Sequence, residues 1–298
     1  NFIAQVIFTN PYGSDEGKWD YGFLFRQTTD DNQYRLMTFS DGSWKLMNNI
    51  NTPDGNLINE GVTSFMSTGA SDSNFMRVVA YEERGWFFIN DQLVGQVDLA
   101  ARQAAGKVNL GTGFYTGNEK TGYETGYDDF SVWEIDAEGV SGELPHDDDS
   151  AIEEFEADVD LDNFIATGVF VNPYDFSFHT FDVGFLFRYT SGEQQYRMII
   201  SGNGKWGLMQ NDGSADGTWI ANDTAGNFNS GAGQRNRITL VALYDIGWLY
   251  INDNLTAELD LSGRRQSGDI SIATGIYTND EVVGYATAFE DFTVIPLP

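Results

Sequence analysis

A short loop rich in side-chain oxygens carries the most specific chemical pattern in this sequence. Asp212-x-Ser214-x-Asp216-Gly217, with Asp223 at the twelfth position, has the spacing by which one loop gathers the oxygen ligands of a hard cation, and calcium is the ion such a set would take. The alternative is a polar turn between strands, which Asp, Ser and Gly favour for backbone reasons alone. Nucleophilic chemistry is poorly supplied. Without cysteine, disulfide staples, thiolate zinc sites and thiol nucleophiles are all excluded. The two histidines, His146 and His179, have no partner motif for a serine nucleophile around them, and each reads as ordinary surface. Gly231-Ala-Gly233 lacks both the third glycine and the apolar strand of a dinucleotide fingerprint. No catalytic residue is expected.

Aromatic rings offer the remaining chemistry, because saccharides stack on Trp and Tyr faces that a fold leaves exposed. Tyr12 and Trp19, beside Asp20, and Tyr174, Phe176 and Phe178 in a matching loop are the surface candidates. Arg26, Tyr34 and Arg35, with Arg188, Tyr196 and Arg197, could line a concave sheet and hydrogen-bond hydroxyls; the alternative is that the arginines pair with nearby carboxylates and the tyrosines pack. Trp44 with Trp206, and Trp86 with Trp248, fall at matched positions inside apolar runs and belong to the core. Trp19, Trp133 and Trp219 are instead matched by Phe181, Ile295 and Leu57.

The matching comes from an internal repeat. Asn1-Phe2-Ile3-Ala4 returns as Asn163-Phe164-Ile165-Ala166, an offset of 162 residues, and the register holds through Asn10-Pro11-Tyr12, Gly22-Phe23-Leu24-Phe25-Arg26, Gln33-Tyr34-Arg35, Gly85-Trp86 and Asp129-Phe130. Two copies of one domain are expected, residues 1–135 and 151–298. Within each, apolar residues alternate with period two in short runs, as Phe2, Ala4, Val6 and Phe8 do, while Asn90-Asp91 and Asn252-Asp253 are pairs that tolerate positive φ and close tight hairpins. With 33 glycines punctuating the runs and no sustained helical period, each copy is predicted to be an all-β, antiparallel two-sheet sandwich.

Net charge narrows the partners. Sixteen basic side chains against 45 acidic ones leave −29, which argues against nucleic acid. Residues 136–162 hold twelve of the acidic residues and no Lys or Arg; 136–150 is expected to be a solvated linker. Phe155, Ala157, Val159 and Leu161 then alternate with acidic residues as a strand. Its counterpart in copy one would precede Asn1, so copy one is expected to lack its first strand. Either the natural chain extends further or another chain inserts a strand. No run approaches the roughly 18 apolar residues of a membrane span, and Asn1 opens without a signal sequence, as a processed chain or a fragment would.

The run 85–99, followed by Gly111-Thr-Gly-Phe-Tyr and Asp128-Asp129-Phe130-Ser-Val-Trp133, and its second appearance at 247–261, 274–278 and 290–294, resembles the concanavalin A-like lectin/glucanase superfamily, laminin G-like modules in particular. That resemblance implies tandem jelly-roll sandwiches used for recognition outside cells. The superfamily's glucanases carry Glu-x-Asp-x-x-Glu; here Glu156-Ala-Asp158 begins the pattern and Leu161 stands where the acid should be. The expectation is a non-catalytic extracellular or cell-surface pair with an adhesive, structural or glycan-binding role, whose partners are a glycan, a protein surface or copies of itself joined by strand exchange into filaments. No cofactor is expected other than calcium. The rival readings are a calcium-dependent carbohydrate-binding module of a larger enzyme and a glycoside hydrolase.

Overall fold

The period-two alternation folds into strands throughout a computed structural model that describes residues 1–51, 55–114, 119–135, 138–148, 151–191, 194–213, 217–277 and 281–297. The chain divides into two units, Asn1–Asp136 and Ala137–Pro298. The first contains β1 Phe2–Thr9, β2 Asp20–Thr29, β3 Asn32–Phe39, β4 Ser43–Ile50, β5 Asn56–Val62, β6 Ser73–Tyr81, β7 Arg84–Ile89, β8 Gln92–Asp98, β9 Lys107–Thr112 and β10 Gly126–Glu134. The second contains β11 Val140–Pro145, β12 Glu153–Glu156, β13 Phe164–Val171, β14 Asp182–Tyr189, β15 Gln194–Ser201, β16 Lys205–Asp212, β17 Thr218–Thr224, β18 Arg235–Leu243, β19 Ile246–Ile251, β20 Asn254–Asp260, β21 Asp269–Thr274 and β22 Ala286–Pro296.

Each unit is an antiparallel β-sandwich. In the first, a sheet ordered β10-β1-β6-β7-β8 faces one ordered β5-β4-β3-β2-β9. In the second the orders are β11-β22-β13-β18-β19-β20 and β12-β21-β14-β15-β16-β17, the same arrangement with one strand added to each sheet. Phe2, Ala4, Val6 and Phe8 enter the first core together, as their alternation requires, and Phe164, Ala166 and Phe170 the second. Trp44, Trp86, Trp206 and Trp248 are all buried. Asn90-Asp91 and Asn252-Asp253 close their hairpins with φ of 51° and 60°, and of 46° and 65°.

The repeated motifs turn out to be structural. Gly22 and Gly184 lie so close to the carbonyls of Leu36 and Met198 that a Cβ would overlap them. Arg26 and Arg188, at the end of the same motif, take left-handed φ values of 47° and 52° and turn inward. The guanidinium of Arg188, fully buried, donates to the backbone carbonyls of Asp162, Tyr244, Leu261 and Arg264; that of Arg26 donates to those of Glu82, Leu99 and Arg102.

Two expectations change here. Residues 136–150 do not form only a solvated linker, because β11 lies within them and pairs with β22, burying Leu144 and His146. An acidic run is compatible with an edge strand, since one face and one edge remain in water. The strand expected over 155–161 forms only in part: β12 ends at Glu156 and pairs with β21, and beyond it Leu161 makes an isolated bridge to Gly268. Both β11 and β12 are without a counterpart among the described residues of the first unit, so it has one strand fewer in each of its two sheets, not one fewer in all.

Candidate functional site

Two cavities of nearly equal size occupy repeat-related places, about 420 Å³ in the second unit and about 410 Å³ in the first. In the second unit the hairpin of β16 and β17 builds one wall. Gly207 pairs with Asn222, and a shift in register after Leu208 sets Trp219 opposite Met209. The indole then lies over Gly207, where a Cβ would overlap its ring. Trp219 is consequently 43% exposed although it sits in a strand.

A second ring faces it from the loop after β21. Tyr277 is 55% exposed, and its centroid lies 6.3 Å from that of Trp219 with 34° between the planes. Asp182, buried at the start of β14, holds this loop: its carboxylate accepts the N–H groups of Ile276 at 3.0 Å and Tyr277 at 2.8 Å. Glu281 accepts from the Thr274 hydroxyl at 3.0 Å and the Gly275 N–H at 3.1 Å. Ser201, Asn203, Lys205 and Asn222 supply polar groups around the rings. Two exposed aromatic faces in a concavity edged by hydroxyl, amide and ammonium groups can stack a flat apolar face and hydrogen-bond the groups projecting from its rim.

The first unit keeps the cavity without a counterpart of Trp219, while Tyr115, which repeats Tyr277, lies outside the described residues. Leu57 replaces Trp219, and Lys45 replaces Gly207 and reaches the Glu60 carboxylate at 3.4 Å. Lys18, Asp20 and Asp41 line the remainder, with Asp20 accepting the Phe114 N–H at 2.9 Å. Among the described residues, charged side chains in the first cavity take the place that the Trp219 indole has in the second.

Most of the residues predicted to bind ligand are placed elsewhere. Trp19 is buried, not on the surface: it stacks on Tyr21 at 5.0 Å and donates from Nε1 to the Tyr12 carbonyl at 2.9 Å, and it lines the first cavity. Tyr12 and Tyr174 are buried too, their hydroxyls donating to the carbonyls of Lys18 and Thr180. Tyr34 and Tyr196 lie in the cores, where burial raises both phenol pKa values, and Arg26 and Arg188 are the carbonyl clamps described above, their pKa values lowered by burial. Arg35 is half-buried and Arg197 buried, and neither lines either of these two cavities. Phe178 alone among the predicted residues is widely exposed, at 79%. Phe176, from the same loop, lines the second cavity.

The calcium loop does not assemble around its two described acids. Asp223 pairs across with Trp206, six residues along β16 from Asp212, or roughly 20 Å at about 3.3 Å per residue. Asp212 accepts from Gln210 and Asp223 from the N–H of Thr224. Ser214 and Asp216 lie outside the described residues. Among the described residues no three His, Asp or Glu side chains gather for a metal. His146, expected at the surface, is buried with Nε2 at 2.9 Å from the Thr287 hydroxyl and Nδ1 at 3.3 Å from Glu281.

Trp219 is unmatched in the sequence repeat, whereas Tyr277, Lys205, Gly207 and Asn222 carry no motif of their own. The available signal was a double break in the repeat, Gly207 for Lys45 and Trp219 for Leu57, on facing strands.

No protein-family model matches the sequence, and no curated protein matches it. Among solved structures the chain is similar to a carbohydrate-binding module from Bacillus subtilis, 11% identical over 53% of this chain and 91% of that one, with a TM-score of 0.39. It is also similar to a two-domain piece of the mouse laminin alpha1 chain, 12% identical over 99% of this chain and 81% of that one, TM-score 0.30. Sheep galectin-11 in complex with glycerol is 13% identical over 42% of this chain and 90% of that one, TM-score 0.31. Identities and scores of this size decide nothing about ligand or activity.

Proposed function

We propose that the chain is a non-catalytic recognition module that acts outside the cell or on its surface, and that its second unit binds a saccharide in the Trp219–Tyr277 cavity. The exposed ring pair carries this reading: burying both faces would lower the free energy, yet Gly207 and Asp182 hold them open to water, the arrangement that stacking on a sugar ring uses. Asn222, Lys205 and Ser201 are placed to hydrogen-bond its hydroxyls. The first unit, where Leu57 stands in place of Trp219, serves adhesion.

The cavity carboxylates Asp182 and Glu281 are what a hydrolase reading rests on. Their engagement with the backbone N–H groups of residues 275–277 supports a loop-holding role instead. The test is a glycan-panel binding assay on the whole chain, with and without a chelator, using W219A as the control, together with product analysis of the bound oligosaccharides. Binding that is lost in W219A, survives chelation and leaves the saccharide intact is expected. Cleavage would establish the hydrolase, loss on chelation the calcium-dependent module, and binding unchanged in W219A would move the site elsewhere.

A further inference from the structure

One cation lines the aromatic cavity of the second unit. Lys205 lies on β16 two residues before Gly207, so the two face the same side of the strand, and its side chain starts roughly 7 Å along the backbone from the place where the Trp219 indole lies. The residue is exposed, and its backbone N–H donates to Asn203 Oδ1 at 2.9 Å.

Its charge is unanswered. Among the other basic side chains of the second unit, Arg188 and Arg264 donate to backbone carbonyls, Arg235 and Arg265 pair with Glu290 and Asp245, and Arg197 and Arg237 are engaged as well. Lys205 Nζ alone has no carboxylate or carbonyl partner among the described residues. Partners are not scarce, since acidic side chains outnumber basic ones 45 to 16, and the repeat position in the first unit is Ser43, so the fold does not require a cation there. An ammonium with three donors to offer, open to water beside two exposed rings, is a group whose binding capacity is unused.

The cavity's carboxylates are occupied elsewhere. Asp182 accepts the N–H groups of Ile276 and Tyr277, and Glu281 those of Asp182 and Gly275 together with the Thr274 hydroxyl. Both are buried, so among the lining residues the charge presented to water is positive. We propose that the saccharide taken by this cavity is an acidic one: the ring that stacks on Trp219 and Tyr277 carries a single anionic group, the carboxylate of a uronic acid or a sulfate ester, which pairs with the Lys205 ammonium in place of a hydroxyl. A lone point charge suits one such group. The net charge of −29 disfavours a densely charged polyanion at a distance, whereas a contact pair forms well inside the roughly 8 Å over which charges act at physiological salt. This rests on the saccharide reading of the cavity and adds the charge of its ligand.

The probes are oligosaccharides in matched sets: glucuronates, galacturonates and mannuronates, each beside its carboxyl-reduced neutral counterpart and that counterpart carrying one sulfate ester. Titration calorimetry on the whole chain at low salt should give, in at least one set, an acidic member bound about fivefold tighter than the neutral one, and which acidic member gains identifies the group. The ratio should fall toward one when salt is raised to about 0.5 M. It should also fall toward one in K205Q, which keeps a donor and removes the charge, and survive in K205R. A lysine that only bonded hydroxyls would change acidic and neutral members alike and leave the ratio where it was. W219A should weaken every member. The proposal is overturned if the neutral members bind as tightly as the acidic ones in every set, or if the ratio survives in K205Q; in either case the cavity reading stands. If no member of any set binds, both fail.

Discussion

The ring of Phe155 lies 5.3 Å from that of Phe289, joining an edge strand of one sheet to an edge-proximal strand of the other. Tyr127, which repeats Phe289, is 67% exposed, so among the described residues this closure is seen in the second unit. Phe155 is itself 39% exposed, and F155A should cost the second unit about 1–2 kcal/mol, below the roughly 3–5 of a fully buried Phe. Y127A should stay within about 0.5 kcal/mol. Chemical denaturation followed by hydrogen exchange, which resolves the units, distinguishes the two; equal effects would contradict the assigned closure.

Arg188 is a structural cation. R188M keeps most of the apolar stem and strands four buried carbonyls, so it should destabilise the second unit by at least about 3 kcal/mol. R188K should rescue little, because an ammonium cannot reproduce the planar fork. A Lys variant as stable as the parent in a thermal melt would show that charge alone matters there.

His146 makes the second unit sensitive to mild acid. Burial lowers its pKa below the ordinary value of about 6.5, an effect the Glu153 charge only partly opposes. The unfolded chain therefore binds the proton more readily than the folded one, and stability rises with pH through the window below about 6.5 and is complete above it. Melting temperature followed from pH 7.5 to 5.5 should fall in the parent chain and fall less in H146Q. A parallel decline in both would assign the acid sensitivity to carboxylates.

Gly207 is predicted to set the pose of Trp219. G207A inserts a Cβ into the space of the indole and should weaken saccharide binding about tenfold, or roughly 1.4 kcal/mol, without removing any aromatic group. Titration calorimetry against the saccharide identified by the glycan panel measures this. Unchanged affinity would mean that the ring need not lie flat on the strand.

Much of the fold is legible from residue order. Period-two alternation specifies strands, the Asn-Asp pairs specify hairpins, and the recurrence of motifs at one offset specifies two sandwiches, because these depend on local backbone preference and on burying one face. The matched tryptophans are core for the same reason. The candidate site was not legible in this way. The shared residues, Tyr12 and Tyr174, Tyr34 and Tyr196, Arg26 and Arg188, are polar and aromatic enough to read as ligand-binding, yet the first and last pairs bond backbone carbonyls that both units need satisfied, and Tyr34 and Tyr196 pack in the cores. Trp219 and Tyr277 are more than fifty residues apart, and only the pairing of β16 with β17 and the grip of Asp182 on the loop after β21 bring their rings together. Likewise the acidic residues around 140–156 suggest a solvated tether when read as charge, and become two edge strands because tertiary pairing satisfies their backbone while their carboxylates stay in water. Sequence determined what each segment is; contacts between distant segments decided which side chains were left facing solvent, and recognition depends on those.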